Sequence, residues 1–425
     1  MERRIHNLLL LIFAATMVAC SSDDYVSVIP ENSTALLSVD VPKLAESKRG
    51  VDARLIRVMF HVTSPDDCGI DMSQKLYVFE NPDGTFGFVA GVKDEQQVGN
   101  WLTKMQQQGF CGRRLKQQEK QFAIINNLWV AAYDDHAFLV VGPVLPTAQP
   151  TMMRRMAKML NGNSNIRETA LFGKLESMTE PMALVAQAHA LPDQLVALCT
   201  LGAPADTPAD KVLLSATITD NDCCLLFEGA PFSFDETIDA ALKKAAQAYR
   251  PMNNKFIDLI PQDAIYTILA NVNGKGFLPL LQDNKQLNAM LSGMSTKVDI
   301  DAFMGNVDGD MAFSFSGAED NLRMRWAAEQ SDDAQPLDQD SQRWLDNNSL
   351  LVGGDVVSSI PAKVKENIKD KRMATIINLA ALKAEDTSDG DIEDNSIGLN
   401  LSLMPLGMFS DAQYLVFTLS DNIHE

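Results

Sequence analysis

A short pattern that occurs twice constrains this chain more than any other feature of its sequence. Pro30 is followed by an apolar, strand-like run in which Asp40 stands ten residues after the proline. Pro261 is followed by a similar run, with Asn271 again ten residues later, so both landmarks keep one offset of 231 residues. A pattern that returns at a kept spacing predicts an internally duplicated architecture.

A second pair of landmarks supports this interpretation. Ile70 and Asp71 match Ile300 and Asp301 at nearly the same offset, and a strand-like run follows each pair, at 76–80 and 311–316. Each copy is then expected to begin with a strand that follows the proline, to continue through a helical segment and to end in a meander of strands. Chance similarity between short apolar strands is the alternative.

Between these landmarks, hydrophobic periodicity and capping residues predict further helices and strands. The predicted helices start at Asp94, at Thr151, at a capping box of Ser233 with Glu236, and at Ala362, and they end near Gly109, Gly162, Tyr249 and Ala381. The predicted strands are 122–126, 128–133, 137–141, 212–219, 224–228, 322–328, 396–403 and 414–419. Successive strands with short polar turns and single helices between them predict an α+β fold, with mainly antiparallel sheets and helices on one face.

These elements divide the chain into four predicted segments. They are a signal peptide at 1–19, an acidic linker at 20–27, a first α+β domain at 28–252 and a second, related domain at 253–425. A mature chain of this length is long enough for two or three domains with real hydrophobic cores.

The N-terminus has the layout of a secretory signal. Arg3 and Arg4 precede an apolar run that is too short to span a bilayer as a stable helix. Met17, Val18 and Ala19 stand before Cys20 in the order of a bacterial lipobox, which predicts that Cys20 is diacylated and becomes the mature N-terminus. Two acyl chains would hold the protein stably at a membrane. An ordinary cleaved signal with a chance cysteine is the alternative.

The residues after Cys20 indicate the membrane to which the protein is anchored. Ser21 is not the aspartate that retains lipoproteins at the inner membrane, so an outer-membrane location is expected. Ser22, Asp23 and Asp24 complete a short acidic stretch that resembles a surface-export signal, so these residues leave an external and a periplasmic location both open.

The net charge argues against some classes of binding partner, and the cysteine content argues against a disulfide framework. The formal net charge is −20, which argues against nucleic acid or an anionic lipid surface as a partner, because both require clustered Lys and Arg. Besides Cys20 there are five cysteines, Cys68, Cys111, Cys199, Cys223 and Cys224. Their odd number and irregular spacing do not form a disulfide framework. A bridge from Cys68 to Cys111 is open, whereas adjacent strand residues such as Cys223 and Cys224 are expected to point to opposite faces.

The lipobox, the opening Ile-Pro strand that ends in an aspartate, the later Asp-led landmark and the strand start at Gly309 and Asp310 together resemble a family. It is an uncharacterised family of Bacteroidota lipoproteins, a domain of unknown function. The resemblance implies a lipid-anchored envelope protein and brings no activity with it.

No complete pattern for catalysis or metal binding is present in the sequence. The histidines His61, His136, His189 and His424 are scattered, and His189 is expected to lie in a strand. The acidic clusters 299–310 and 386–394 lack the spacing of a calcium loop and are expected to form turns. Asp134, Asp135 and His136 are expected to form a hairpin turn, and no serine or cysteine has the context of a catalytic nucleophile.

Two other features bear on ligand binding. Trp344 is the one tryptophan in polar surroundings, whereas Trp101 is predicted in the core and Trp129 and Trp326 in strands. A sugar-binding platform at Trp344 therefore stays open, although tryptophan is usually buried. The methionines of the helix at 151–162 are expected to face the core rather than a partner.

The function predicted from the sequence is therefore that of a non-enzymatic, lipid-anchored envelope protein with no cofactor and no metal. It would bind a partner or serve as an accessory component of an outer-membrane protein complex. Two alternatives are an envelope or polysaccharide hydrolase, for which Asp301 and Asp310 are the best candidate acids, and a purely structural spacer.

Overall fold

The structure is a computed structural model that describes residues 24–46, 65–117, 119–191, 196, 199–221, 223–284, 300–317, 323–334, 342–353, 358–381 and 412–419. The predicted lipidation residue Cys20, the export-signal residues Ser21, Ser22 and Asp23, and the strand predicted at 396–403 lie outside these ranges. Asp24 is the first residue described and opens a 3-10 helix, Asp24–Val28.

Within the described residues the chain contains both helices and strands. The strands are β1 (Ala35–Asp40), β2 (Lys75–Glu80), β3 (Phe86–Gly91), β4 (Leu115–Gln117), β5 (Lys120–Ile125), β6 (Trp129–Tyr133), β7 (Ala137–Gly142), β8 (Met182–Gln187), β9 (Leu213–Asn221), β10 (Cys224–Phe232), β11 (Tyr249–Arg250), β12 (Tyr266–Asn273), β13 (Val307–Ser316), β14 (Arg323–Gln330), β15 (Gln342–Trp344), β16 (Ser349–Val352), β17 (Met373–Asn378) and β18 (Tyr414–Leu419). The α-helices are α1 (Val41–Glu46), α2 (Glu95–Gln107), α3 (Gln149–Met159), α4 (Ala170–Ser177), α5 (Glu236–Ala246), α6 (Gly274–Asp283), α7 (Ile300–Asn306) and α8 (Ala362–Ile368). The described residues confirm the predicted α+β class and the largely antiparallel sheet.

The chain divides into two compact units, the first mainly 60–169 with the N-terminal residues and the second mainly 170–425. In the first unit, antiparallel strands follow each other in the order β2, β3, β7, β6, β5, β4. Helix α2 packs on this sheet through Trp101, whose ring meets that of Phe138 edge to face at 5.4 Å. Tyr25 and Val26 of the N-terminal 3-10 helix are also buried, so the hydrophobic core includes residues before the predicted start of the first domain at residue 28.

In the second unit, strands follow each other in the order β8, β9, β10, β18, β17, β12, β13, β14, β16, β15. Strands β10 and β18 pair in parallel, and the other neighbours in this order pair antiparallel. Phe256, Ile260, Val364, Ile368 and Val416 lie in one hydrophobic cluster of this unit. The units divide near residue 169, not at 252/253, so the predicted boundary between two related domains stays a prediction.

The two sequence landmarks share a local geometry. The amide of Ser33 donates to the carbonyl of Pro30 at 3.2 Å, and the amide of Ala264 donates to that of Pro261 at 3.2 Å. A 3-10 helix precedes each turn, at Asp24–Val28 and Ile257–Leu259, and a strand that leads into a helix follows each one. The two segments therefore share this local geometry, and the duplication of the whole body stays a prediction.

Helix α2 is the element that sequence reasoning predicted best. The Asp94 carboxylate accepts a hydrogen bond from the Gln97 amide at 3.0 Å, and Val98, Trp101, Leu102 and Met105 are all buried. Helix α3 starts at Gln149, two residues before the predicted start, since Pro150 fits the first turn of a helix. Its Met152 and Met156 face the core as predicted, and Met159 is half-buried.

Other predicted boundaries are wrong. The N-cap of α5 is Asp235, which accepts from the amides of Thr237 and Ile238, rather than Ser233. The predicted helix 362–381 ends at Ile368, because the backbone turns through Asp370 at φ +61° and the apolar run that follows forms the buried strand β17. Among the helices in the described ranges, none has both the length and the hydrophobicity of a membrane span.

Candidate functional site

The most extensive buried polar network in the described part of the chain surrounds Asp310. This residue lies on β13 directly opposite Asn271 of β12, and only 3% of its surface is exposed. One carboxylate oxygen, Oδ1, accepts hydrogen bonds from the Asn271 side-chain amide at 2.7 Å and the Asn253 backbone amide at 2.9 Å. The other, Oδ2, accepts from the Lys255 backbone amide at 2.9 Å. Both carboxylate oxygens therefore accept hydrogen bonds from donors of their own chain.

These contacts hold the loop between β11 and β12 in place. Asn254 lies between the two donating amides in a left-handed conformation at φ +62°. Its side chain exchanges hydrogen bonds with Asp370, one to the carboxylate at 2.7 Å and one from the backbone amide at 2.9 Å. A buried acid that satisfies backbone donors fixes a loop in the same way as a helix cap satisfies free amides.

A second acid lies beside Asp310. Glu329 on β14 accepts from the Asp310 backbone amide at 2.8 Å and from Lys255 Nζ at 3.1 Å. Lys255 Nζ also lies 3.0 Å from Asp346 in the turn between β15 and β16. Gly309 permits this arrangement, because a Cβ atom there would lie 2.2 Å from Glu329 Oε2. The network thus ties β13, β14 and the β15–β16 turn to one lysine.

Arg250 extends the network towards solvent. Its guanidinium donates to Asn271 Oδ1, to the Val272 carbonyl and to Asp308 Oδ1, each at 2.8 Å. Asn271 is therefore held in one orientation, with its oxygen towards Arg250 and its nitrogen towards Asp310. Asp346 in the same network is ionised: hydrogen bonds from the Asn348 amide and then from Lys255 lower its pKa to about 2.

The hydrolase alternative required two acids in a shared cleft. Asp301 is exposed on α7, whereas Asp310 is buried on β13 with all its hydrogen bonds inside the protein. A narrow cleft of about 230 Å³ touches Asp310, and its other lining residues are mostly apolar, among them Met252, Phe256 and Leu269. The described residues therefore do not bring Asp301 and Asp310 together as an acid–base pair.

The first unit carries a smaller polar cluster at the β6–β7 turn. Asp134 is buried, forms an ion pair with Lys120 and accepts from His136 Nδ1 at 2.6 Å. It also accepts from the backbone amides of His136 and Ala137 at 3.1 Å each. Burial raises the pKa of Asp134, but the hydrogen bonds from His136 and Lys120 outweigh it and hold this pKa at about 2. The turn predicted here is confirmed, and its polar contacts stabilise that turn.

Asp134, Asp135 and His136 also place three potential metal ligands within 4.8 Å of one another. Lys120 already neutralises Asp134, and Asp135 is exposed. A cation would have to displace the lysine, so the donor set does not favour a metal.

The tryptophans divide as predicted. Trp101, Trp129 and Trp326 are buried, whereas 56% of Trp344 is exposed at the end of β15. His189 is exposed in a 3-10 turn, Ala188–Ala190, rather than in a strand, because β8 ends at Gln187. The cysteines in the described ranges are all free thiols, so the bridge between Cys68 and Cys111 does not form, and Cys111 Sγ instead donates to the Leu102 carbonyl at 3.2 Å.

Sequence reasoning found Asp310, and it singled out Asn271 only as the repeat partner of Asp40. It missed Arg250, Asn253, Lys255 and Glu329. The asparagine at position 254, a residue type that tolerates the left-handed conformation, and the glycine at position 309 are sequence signals that could have pointed to a constrained loop.

Comparison with known proteins agrees with the resemblance at a coarse level. Residues 25–329 match the model of a family described as a domain of unknown function, DUF4836. The chain belongs to this family. The match begins at Tyr25, the first buried residue in the described part of the chain, and includes the Asp310 network up to Glu329.

Solved structures similar to this chain include crystal forms of a protein named TP0453. Form I has 13% sequence identity and a TM-score of 0.30, and it covers 48% of this chain and 76% of that chain. Form III has 9% identity and a TM-score of 0.29, with 82% and 98% covered. These scores are too low to carry a functional argument. No curated protein matches the sequence.

Proposed function

We propose that this member of the DUF4836 family is a lipid-anchored, non-catalytic protein of a bacterial outer membrane, and that it binds a partner held at the same membrane. The anchor is the diacylated Cys20 predicted from Met17, Val18 and Ala19. The body is a scaffold of two related α+β parts that needs no cofactor. The resemblance to Bacteroidota lipoproteins, the duplication and the export signal at Ser21–Asp24 belong to this proposal.

One observation carries the non-catalytic part. The best candidate acid, Asp310, accepts two backbone amides and one side-chain amide and is 3% exposed. A general acid or base must reach its substrate and exchange a proton with it. A carboxylate that holds a loop by three internal hydrogen bonds instead stabilises the scaffold, which favours binding over the hydrolase alternative.

The short connection to the anchor supports a partner at the membrane. Tyr25 lies only five positions after Cys20, and an extended chain of that length spans at most about 18 Å. Tyr25 is 3% exposed, and its hydroxyl donates to the Lys75 carbonyl at 2.7 Å, so it is already part of the folded body. An acylated Cys20 would therefore keep the first unit close to the lipid surface.

The duplication has its own support. The turns after Pro30 and Pro261 have the same hydrogen bond, and a 3-10 helix precedes and a strand follows both. Moreover, β2, β3 and β7 are consecutive antiparallel neighbours in the first unit, as β13, β14 and β16 are in the second. Two related copies would suit a binding scaffold, since a duplicated body offers two similar surfaces.

Chemical crosslinking in intact cells, followed by affinity purification from the membrane fraction, tests the proposal. We expect one partner of the same membrane to be recovered at a fixed ratio. Insertion of about twenty Gly and Ser residues between Asp24 and Tyr25 should lower the recovery, because the effective concentration falls about tenfold when the tether lengthens this much.

The same linker appended after Glu425 is the matched control and should leave recovery unchanged. Recovery of no partner would contradict the binding role. An unchanged recovery with the internal linker would contradict the role of the short tether. Cleavage of the protein by protease added to intact cells would place it on the outer face, and protection would place it on the periplasmic face.

A further inference from the structure

The turn between β9 and β10 brings two thiols together. Cys223 and Cys224 were expected to point to opposite faces of a strand, yet their Sγ atoms lie 3.3 Å apart. The reason is that β10 begins only at Cys224, so Cys223 belongs to the turn and does not follow the alternation of a strand. This distance is longer than a covalent S–S bond, at about 2 Å, by little more than 1 Å.

The two thiols differ in their access to solvent. Cys223 is half-buried, whereas Cys224 is fully buried in the hydrophobic cluster of the second unit. Burial, followed by a hydrogen bond with Cys223, raises the pKa of Cys224 to about 12. Cys223 is therefore the thiol that a reagent from solution meets first.

The carbonyl of the peptide bond between these cysteines also forms hydrogen bonds with the start of β18. The carbonyl of Cys223 accepts hydrogen bonds from the backbone amides of Gln413 at 2.9 Å and Tyr414 at 3.0 Å. Tyr414 is the first residue of β18, and it pairs with Cys224 in the parallel β10–β18 ladder. The orientation of this one carbonyl thus helps to fix the start of β18.

A bond between the two sulfurs would close a small ring that contains this carbonyl. Adjacent Cα atoms are about 3.8 Å apart, whereas bridged cysteines usually have Cα atoms at least about 4.4 Å apart. The distance between adjacent Cα atoms is fixed across one trans peptide bond, so the ring is strained, and its closure is expected to rotate the peptide group between the two residues. That movement would draw the Cys223 carbonyl away from the amides of Gln413 and Tyr414.

We propose that Cys223 and Cys224 are an oxidisable pair that forms a reversible vicinal disulfide, and that its formation loosens the start of β18. The oxidant is a second disulfide, carried by a small molecule or by a thiol–disulfide oxidoreductase. The Cys223 thiol loses its proton and its sulfur attacks the oxidant, which releases one thiol. The Cys224 sulfur then attacks Cys223 Sγ, loses its proton and releases the second thiol. Two cysteines are oxidised and one disulfide is reduced to two thiols.

A neighbouring side chain favours the second step. The Asn367 side-chain amide lies beside Cys224 and lowers its pKa, against the larger effect of burial. Asn367 Nδ2 is buried, and among the described residues it has no hydrogen-bond partner. It is therefore available to donate to the Cys224 sulfur as negative charge develops there.

The experiment uses the purified, detergent-solubilised protein and does not depend on the proposed anchor, so its failure is distinct from a failure of the proposed function. The protein is incubated with excess oxidised glutathione, denatured, alkylated and mapped by peptide mass. We expect the peptide with Cys223 and Cys224 to lose two hydrogen masses and to escape alkylation, while Cys68, Cys111 and Cys199 are alkylated. Cys199→Ser, which removes another buried thiol, should behave like the wild type, and Cys223→Ser should show no loss.

Amide hydrogen exchange of the wild-type protein alone tests whether the disulfide loosens the start of β18. The amides of Gln413 and Tyr414 should exchange about tenfold faster after oxidation and return to the original rate when a reductant is added. Alkylation of both cysteines after oxidation, or a persistent glutathione adduct on Cys223, would overturn the disulfide. A disulfide without faster exchange would overturn the coupling to β18.

Discussion

At the scale of single residues, Asp310 shows how a residue chosen for catalysis can have a structural role. The sequence places an aspartate at a strand start, which is compatible with either role. The three donors to its carboxylate come from residues 253, 255 and 271, which are 39 to 57 positions away in the chain. Such long-range contacts have no local pattern, so sequence reasoning could name the acid but not its partners.

Asp310→Asn tests this role directly. The neutral amide keeps the shape, but it loses the charge-assisted hydrogen bonds and presents a donor where only donors lie opposite. We expect the free energy of unfolding to fall by about 2 to 4 kcal/mol, measured by chemical denaturation. Asp301→Asn is the matched control on an exposed helix position and should change stability by less than about 0.5 kcal/mol. Equal effects of the two substitutions would contradict the structural role of Asp310.

Asp134 gives a prediction for pH dependence. Its pKa is about 2 in the folded protein, against 3.8 for the unpaired group. A depressed pKa contributes stability that is present above pH 3.8 and is lost as the pH falls through about 2. The difference in unfolding free energy between the wild type and Asp134→Asn should therefore include a term of about 2 kcal/mol at pH 5 that shrinks between pH 4 and pH 2. Denaturant titrations at several pH values measure it, and a difference that does not change with pH would refute it.

At the scale of secondary structure, local signals predicted some elements well and failed where tertiary contacts decide. Helix α2 was predictable because its cap, its apolar stripe and its terminal glycine all lie between Asp94 and Gly109. The segment after Ile368 was assigned to a helix because an apolar run does not distinguish a buried helix from a buried strand. In the fold β17 pairs with β12 and β18 on its two sides, and all six of its residues are buried.

The start of α5 is a second element that sequence reasoning placed wrongly. Asp235→Ala should lower the free energy of unfolding by about 1 kcal/mol, because the amides of Thr237 and Ile238 lose their acceptor. Glu236→Ala, the other half of the predicted capping box, is the control and should cost less than half as much. Thermal unfolding of the two variants compares them. A larger loss for Glu236→Ala would restore the predicted capping box.

At the scale of the whole molecule, the sequence predicted the α+β class and a domain of unknown function, whereas the boundary predicted at 252/253 stays a prediction beside the division near residue 169. The turns after Pro30 and Pro261 are short and depend on neighbouring residues, so local sequence signals could indicate them. The division near residue 169 depends on which strands pair over long distances, and pairing of this kind has no signal in a single sequence. The proposed function depends least on the body and most on the predicted lipid anchor at Cys20.

Membrane fractionation of Cys20→Ser tests the central claim most directly. Cells that produce the wild type or the variant are labelled with a traceable fatty acid, and their membranes are separated from soluble proteins. We predict that the wild type carries label and sediments with the outer membrane. The variant should carry no label and should be soluble or mislocalised, with an unchanged melting temperature, because Cys20 is predicted to lie in the linker before the first α+β domain. Continued association of unlabelled Cys20→Ser with the outer membrane would contradict the account.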